Sequence, residues 1–294
     1  MTTTYITSNT AGAPTLNGAA GSLITLLDYL LVTTLGWTKS FSGTNLATYR
    51  APTGNRFYLG VNDTTTLNAR VRVFETATAA GVAVESGTSP MPTDALLPGG
   101  GYVYKGSDTS TTRPWRFASN GKMFHLSIKA ATYYALFSFG DFASYKTSDA
   151  FNTLLSSEGN LSSYANGVAT GISATTPAQA GSFIMRPYTQ IGGCVGSAKI
   201  VDGTYGDVAT IGNAGSSYPS EVEGALLLGR VRINESATLI RGTIPGLWAP
   251  AHAKPLADGD TFSGTGDLSG RAFVAWNVSA AGQAMIETSD TWST

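Results

Sequence analysis

The segment Ala69-Arg70-Val71-Arg72-Val73 alternates apolar and charged side chains without interruption. Successive side chains of a β-strand point to opposite faces, so the two valines share one face and the two arginines share the other. The alternation therefore predicts an amphipathic strand within residues 69–75, with an arginine face that meets solvent or a partner.

Further short runs of β-branched, aromatic and aliphatic residues, bounded by Gly, Pro, Asn or Asp, follow the same rule along the chain. They lie at residues 56–61, 101–104, 123–128, 132–139, 183–188, 225–233, 238–243, 271–276 and 284–288. The 35 Gly and 12 Pro show no fixed period, which is typical of tight turns between short strands. The sequence predicts a mainly β fold with a minor α component.

One amphipathic helix is expected near the N-terminus. Leucines recur there at the spacing of one helical face, at positions 23, 26, 27, 30 and 31. Asn17 is a suitable cap and Gly36 a suitable stop, so the pattern predicts a helix at about residues 17–34.

A second, shorter helix is predicted near residues 148–156. Phe151, Leu154 and Leu155 would share one side of it, and Asp149 would lie near its start.

The length of 294 residues exceeds the size at which a single core usually keeps growing, so we expect two β-rich subdomains of sandwich or barrel type. Between residues 156 and 181 the chain is rich in Ser, Ala, Gly and Thr and poor in large apolar residues. This composition is typical of an exposed connection. We therefore expect an N-terminal unit at 1–160, a flexible connection or arm at 161–181, and a C-terminal unit at 182–294.

An internal similarity links residues 69–78 to residues 229–238, where Arg-Val-Arg-Val is echoed by Arg-Val-Arg-Ile. A duplicated β unit would explain it, and so would chance likeness between two strands that obey the same alternation rule. The flanking residues do not match, so no repeat architecture is inferred.

Charge is scarce: Lys, Arg, Asp and Glu make up 13% of the residues, where an ordinary globular domain carries roughly 25%. A surface of neutral polar groups is cheaper to desolvate than one of ions, which suits a subunit covered by its neighbours. The net charge of −1 and the absence of a basic run argue against a nucleic-acid partner.

No targeting or membrane segment is expected. The N-terminus has no basic region ahead of an apolar one, and the most hydrophobic stretch, residues 23–35, is interrupted by Asp28 and by threonines. The lone Cys194 excludes an internal disulfide and is compatible with synthesis in a reducing cytoplasm. We expect no membrane insertion.

No pattern of catalytic, metal-binding or cofactor-binding residues stands out. The two histidines, His125 and His252, lie in unlike contexts, and there is no G-x-S-x-G elbow, zinc spacing or phosphate loop. A glycoside hydrolase would need a pair of catalytic carboxylates, and the spacing of the acids in this sequence singles out no such pair. The available acids are Asp141, Asp149, Glu221, Glu223 and Glu287. Three carboxylates in a turn-rich stretch, Asp258, Asp260 and Asp267, either hold an ion such as Ca²⁺ or simply form turns.

Aromatic and arginine side chains are the better candidates for binding. Tyr and Trp offer large contact areas at low entropic cost, and arginines on an amphipathic strand suit bidentate contacts with a partner. The candidate interface residues are Arg70, Arg72, Tyr102, Tyr104, Trp115, Arg230, Arg232, Trp248 and Trp292.

Several short motifs resemble those of structural proteins encoded among the tail and baseplate genes of tailed bacteriophages. The matching stretches are residues 8–14, 68–72 with Glu75, 113–115 with Gly121 and Phe124, 139–142 with 145–146, 149–152, 241–242 with 245–248, and 287–292. The matching stretches are spread over most of the chain, and none of them indicates a catalytic or binding activity.

The resemblance implies a non-enzymatic virion subunit, assembled in the host cytoplasm, that contacts copies of itself and other virion proteins in the tail tip, baseplate or collar. Two alternatives stay open. One is a receptor-binding or capsid-decorating module that recognises host-surface glycans through residues such as Trp115 and Tyr104. The other is an enzyme that degrades surface polysaccharide.

Overall fold

The computed structural model describes residues 2–129, 134–157, 181–195, 199–201, 224–236, 239–252, 255–277 and 283–292. These residues form a mainly β structure built from several antiparallel sheets, as the sequence predicts. The connection predicted at 161–181 lies outside the described residues except for Gly181, so the division into two subdomains stays a prediction. Glu221 and Glu223 also lie outside them.

The described residues form twenty strands. The first ten are β1 (Thr4–Thr7), β2 (Thr38–Gly43), β3 (Leu46–Arg50), β4 (Tyr58–Asn62), β5 (Asn68–Phe74), β6 (Thr76–Ala77), β7 (Gly87–Thr88), β8 (Gly101–Tyr104), β9 (Trp115–Ser119) and β10 (Met123–Lys129). The next are β11 (Tyr134–Asp141), β12 (Ala143–Ser144), β13 (Thr153–Ser157), β14 (Gly181–Ile184), β15 (Lys199–Val201), β16 (Leu228–Ser236), β17 (Leu239–Pro250), β18 (Thr261–Ser263), β19 (Ala272–Asn277) and β20 (Gln283–Glu287). Short 3₁₀ turns occur at Val84–Ser86 and Gly266–Leu268.

A central sheet with the strand order β1-β9-β10-β11-β13-β14 is buried on both faces. Neighbouring residues on its strands enter different cores: Leu155 joins the core on one side and Leu154 the core on the other. Phe183 and Ile184 divide in the same way. Burial of both faces explains why the polar His125 and Ser127 of β10 are buried, although the sequence of this strand alternates apolar and polar residues.

Two further sheets cover the central one. A sheet of order β2-β3-β4-β5-β8 packs with the N-terminal helix on one face, and a sheet of order β15-β16-β17-β20-β19-β18 packs on the other, with β12 joining β17. The layers thus form a β-sandwich arrangement. Among the described residues, no helix combines the length and hydropathy that crossing a membrane requires.

The N-terminal helix ends where predicted but begins later. An α-helical turn, α1 (Ser22–Leu27), continues into a π-helical segment, Asp28–Thr34. Asn17 does not cap it, because its Oδ1 accepts the N–H of Ala19 in a local turn. Gly21 precedes the helix in the left-handed region with φ of 81°, which stops the helix from extending backwards.

The cap of this helix comes from a distant strand end. Asp63, just after β4, accepts the N–H groups of Leu23 and Ile24 at 2.8 and 3.3 Å through its Oδ2. Its Oδ1 pairs with the buried ammonium of Lys105, which also donates to the carbonyl of Ala19. A buried ion pair therefore fixes the start of the helix to the sheet beside it.

The helix predicted near residues 148–156 is wrong. Ser148 has a φ of 58°, outside the right-handed helical region, and residues 153–157 form strand β13. Leu154 and Leu155 face opposite sides of the central sheet, so their adjacency reflects a strand buried on both faces and not a helical stripe.

Candidate interaction surface

Arg72, predicted to face solvent or a partner, lies inside the chain. Its side chain is 1% exposed, donates to the carbonyl of Val82 at 2.6 Å and pairs with Asp94. The loop that follows β5 covers the arginine face of the strand at this point. The predicted interface role of Arg72 is therefore wrong, because its bonding partners come from its own chain.

Arg70 and Tyr102 lie opposite each other on the paired strands β5 and β8. The guanidinium carbon of Arg70 is 3.6 Å from the ring centroid of Tyr102, and its Nη1 donates to the carbonyl of Pro98 at 2.7 Å. Both side chains are half-buried, as is that of Tyr104, whose pKa burial raises. These three residues keep part of their surface available to a partner.

Trp115 is a core residue and not a surface aromatic. It is 1% exposed, and its indole N–H donates to the carbonyl of Pro14 at 3.1 Å. The structure thus corrects the prediction that Trp115 contacts a partner or a glycan: the side chain is enclosed between the central sheet and the N-terminal segment.

Trp248 and Trp292 both donate a hydrogen bond to Glu287 in the interior of the protein. The indole of Trp248 donates to Glu287 Oε2 at 3.1 Å, and that of Trp292 donates to the Glu287 carbonyl at 2.6 Å. Both tryptophans are buried, so their predicted interface role is also wrong. Arg230 covers the Trp248 ring at 5.1 Å from its half-buried strand position, and Arg232 is half-buried on the same strand.

The buried imidazole of His125 links the central sheet to β17. Its Nε2 lies 2.9 Å from the carbonyl of Pro245 and its Nδ1 lies 2.8 Å from Ser138 Oγ, while its ring stacks on Trp292 with centroids 5.3 Å apart. Burial lowers the pKa of His125 to about 4, so the ring is neutral at pH 7. Because Pro245 can only accept, Nε2 carries the proton and Nδ1 accepts from Ser138. The imidazole of His125 and the hydroxyl of Ser138 are both buried, and their role is structural.

The acidic stretch near residue 260 forms turns and an ion pair. Arg116 binds both oxygens of Asp258 at 2.6 and 2.8 Å, and Asp260 Oδ2 accepts the N–H of Ala257. Across the described residues, no group of three or more His, Cys, Asp or Glu is arranged to hold a metal ion. Cys194 is half-buried, and burial raises the pKa of its thiol.

A buried arginine that sequence reasoning did not select as a site residue, Arg241, organises a cluster of charges. Its Nε donates to Asp149 Oδ2 at 2.9 Å, its Nη1 pairs with Glu235, and Nη1 also donates to the carbonyl of Arg186 at 3.3 Å. The guanidinium carbon lies 5.7 Å from the ring centroid of Tyr188. Arg241 therefore ties β17 to the loops 145–149 and 186–191.

Above this cluster the two loops expose a group of large side chains, which we call the Arg241 surface and define by Tyr145, Lys146, Tyr188 and Ile191. Tyr145 is 63% exposed, Tyr188 43% and Ile191 79%. The ammonium of Lys146 lies 4.3 Å from the Tyr188 ring centroid, and the N–H of Tyr145 donates to the carbonyl of Arg241. An exposed group of this kind on a rigid support is typical of a protein contact site.

Two hydrogen bonds fix the 186–191 loop below this surface. The N–H of Tyr188 donates to Glu235 Oε1 at 2.9 Å, and the amide of Gln190 lies 3.4 Å from Asp149 Oδ1. The same two carboxylates bind Arg241, so the surface loop and the buried cation share their partners. The exposed ring of Tyr188 is thus held on a loop that is fixed within the chain itself.

Most charges in the described part of the chain are compensated by intramolecular ion pairs. The pairs join Lys39 to Asp28, Arg72 to Asp94, Lys105 to Asp63, Arg113 to Asp108, Arg116 to Asp258, Arg186 to Glu75, Arg241 to Asp149 and Glu235, and Arg271 to Glu287. A chain already poor in charge thus directs many of its ions toward one another.

Searches of the sequence against protein-family models and against curated proteins found no match. The fold and the exposed side chains describe the chain by themselves: a mainly β protein with a central sheet enclosed between two others and an exposed group that contains Tyr145 and Tyr188.

Proposed function

We propose that this chain is a non-enzymatic structural subunit of a tailed-phage virion, in the tail tip, baseplate or collar, and that it acts through contacts with copies of itself. The observation that carries the assembly role is the Arg241 surface. It presents Tyr145, Tyr188 and Ile191 to solvent on loops that a buried ion cluster holds in place. The proposed location in a phage particle rests on the resemblance of the sequence motifs.

Rigid support matters because association costs entropy. A side chain that is already fixed loses less freedom on binding, so a preorganised tyrosine contributes more net free energy than a mobile one. Tyr188 is fixed from below by Arg241 and from the side by Lys146. These are the properties of an anchor residue in a subunit interface.

The partner that fits this surface is a second copy of the chain. The cluster beneath it balances Arg241 and Lys146 against Asp149 and Glu235, so no net charge repels an identical surface. Neutral aromatic and aliphatic contact also depends little on salt, which suits a particle that must stay assembled outside the cell.

The oligomeric mass of the purified chain, measured by light scattering over a concentration series, tests this role. We expect a discrete oligomer, and we expect Ile191→Asp to weaken association by at least about tenfold, because a carboxylate would have to be desolvated in the contact.

Leu227→Asp is the matched control. Leu227 is 53% exposed and lies beside the end of the β16–β17 pair opposite to Arg241, so this change should leave the mass unaltered. A wild-type chain that stays monomeric throughout the series, or an equal loss of association in both variants, would contradict the assembly role.

The proposed location in the virion is tested separately. Mass spectrometry of purified phage particles that carry this gene should find the chain at a fixed copy number. Its absence from purified particles would remove the virion part of the proposal and leave the assembly part to the scattering experiment.

A further inference from the structure

A polar cleft of about 440 Å³ opens beside the start of β12, and none of the four residues that define the Arg241 surface lines it. It lies between the turn that joins β9 to β10, the loop before β4, the start of β12 and the C-terminal residues Thr291 and Trp292. Its volume falls within the range of about 300–1,000 Å³ that is usual for small-molecule sites.

One wall of the cleft is a preorganised amide and carboxylate network. The N–H of Asn55 donates to Asp141 Oδ2 at 2.7 Å, and the amide of Asn55 donates to Asn152 Oδ1 at 2.8 Å and to Thr153 Oγ1 at 3.1 Å. Thr153 in turn donates to Asp141 Oδ1 at 2.8 Å. The orientation of each group is set by the next one, so the wall needs no rearrangement to bind a ligand.

Hydrogen-bonding capacity remains on the cleft side. Asn120 uses its Oδ1 to accept the N–H groups of Lys122 and Met123, which leaves its NH₂ group for a ligand. The exposed Lys122 ammonium forms no ion pair with any residue in the described part of the chain. Thr291 lies exposed at the rim.

The floor of the cleft is apolar and firmly held. Phe142, Pro245 and Trp292 line it, and Trp292 is fixed by its hydrogen bond to the Glu287 carbonyl and by its stack on His125. The cleft thus combines a small apolar area, at the exposed edges of these largely buried residues, with polar groups along its sides.

Charge distinguishes the classes of ligand that this arrangement would take. The cleft holds one cation, Lys122, and one carboxylate, Asp141, whose pKa burial raises. One cation and one carboxylate leave no large excess of either charge, so the lining does not favour an anion or a cation over a neutral ligand. The NH₂ group of Asn120, the Lys122 ammonium and the Thr291 hydroxyl can donate to the hydroxyl groups of a sugar, and the apolar lining can contact its C–H groups.

From this combination we infer that the cleft binds a neutral saccharide, of one or two sugar units, between the Asn55–Asn152 wall and the turn at Asn120. The inference is independent of the assembly role, since the Arg241 surface and the cleft have no lining side chain in common.

Side-chain amide signals of the asparagines, followed by NMR, test the inference. The probes are glucose, galactose and N-acetylglucosamine as neutral sugars, with glucuronate and inorganic phosphate as anions. At least one neutral sugar should shift the signals of Asn55 and Asn152, and Thr291→Tyr should weaken that binding by about tenfold, because the larger ring fills the rim. Thr66→Tyr, at an exposed position between β4 and β5, is the matched control and should leave binding unchanged.

Three results would overturn the inference. One is that no neutral sugar shifts these signals. The second is that Thr291→Tyr binds a neutral sugar as well as the wild type does. The third is that only glucuronate or phosphate binds and that Lys122→Ala abolishes this binding, which would make the cleft an anion site.

Discussion

The guanidinium of Arg241 lies beneath the ring of Tyr188, 5.7 Å from its centroid, while the same guanidinium is neutralised by Asp149 and Glu235. A fully buried cation thus supports a partly exposed aromatic ring. These three ions interact with one another inside the chain. Of the side chains above them, Tyr145, Tyr188 and Ile191 can be covered at low desolvation cost, whereas Lys146 carries a charge. This relationship is the basis of the proposed assembly role.

The two arginines of β5 should respond differently to replacement. Arg72→Met leaves the carbonyl of Val82 without its donor and removes the pair with Asp94, and we expect it to lower the free energy of unfolding by about 2 kcal/mol. Arg70→Met loses a half-exposed contact with Tyr102, which is worth about 0.5–1 kcal/mol. Denaturant unfolding of both variants measures the difference. Equal losses would mean that the two arginines share one environment, contrary to the structure.

The buried pair beneath the helix should be far more sensitive than an exposed one. Lys105→Met leaves the Asp63 carboxylate buried without its cation, and we expect a loss of about 3–5 kcal/mol. Lys39→Met removes a partly exposed pair with Asp28, so it should cost less than about 1 kcal/mol. Urea midpoints at pH 7 compare the two. A Lys105→Met protein as stable as Lys39→Met would show that the Asp63 site is open to water.

Stability should fall as the pH drops below about 6.5, and His125 should be one cause. The pKa of His125 is lowered to about 4 in the folded state, so between these values the unfolded state binds a proton that the folded state does not. The contribution of His125 is complete above pH 6.5, is lost as the pH falls toward 4, and amounts to about 3 kcal/mol from the size of the shift.

Unfolding free energies of the wild type and of His125→Gln, measured from pH 7.5 to 4.5, isolate this contribution. The wild-type curve should be the steeper of the two, because the variant lacks the titrating ring. Parallel curves would show that His125 titrates normally and that its pocket is hydrated.

Gly246 is required by the position of Trp292. Its φ of 73° favours glycine, and a Cβ added there would overlap the indole of Trp292. Gly246→Ala should therefore combine backbone strain with overpacking and cost about 2–4 kcal/mol. Gly12→Ala is the matched control, since Gly12 has a φ of 78° and open space around its Cα, and it should cost only about 1 kcal/mol. Thermal unfolding of the pair gives the comparison, and similar midpoints would argue against the packing of Trp292 on Gly246.

Strands were predictable from the sequence where an apolar run was clearly bounded by turn-forming residues. Runs of β-branched and aromatic residues between turn formers placed β8 and β10 almost to the residue, because those strands are short and sharply bounded. Edge and connecting strands such as β2 were missed, since Thr38–Gly43 is polar and mostly not buried and carries no apolar period. The helix was recognised by its leucine face, but its start depends on Asp63, which lies 40 residues from Leu23 in the sequence.

The Arg241 surface could not be predicted from the sequence for a similar reason. Arg241, Asp149 and Tyr188 come from three separate segments, and no local pattern marks them as neighbours. The candidate arginines of β5 were chosen by alternation, which separates the two faces of a strand correctly. Alternation does not say whether the polar face will later be covered by a loop of the same chain, as happens at Arg72.

The most direct test of the assembly role is a structure of the oligomer itself, determined by electron cryomicroscopy from the full chain. The Arg241 surface should lie in the contact between subunits, with Tyr145, Tyr188 and Ile191 covered by a neighbouring copy. An oligomer in which these three side chains face solvent while the subunits meet elsewhere would contradict the central claim.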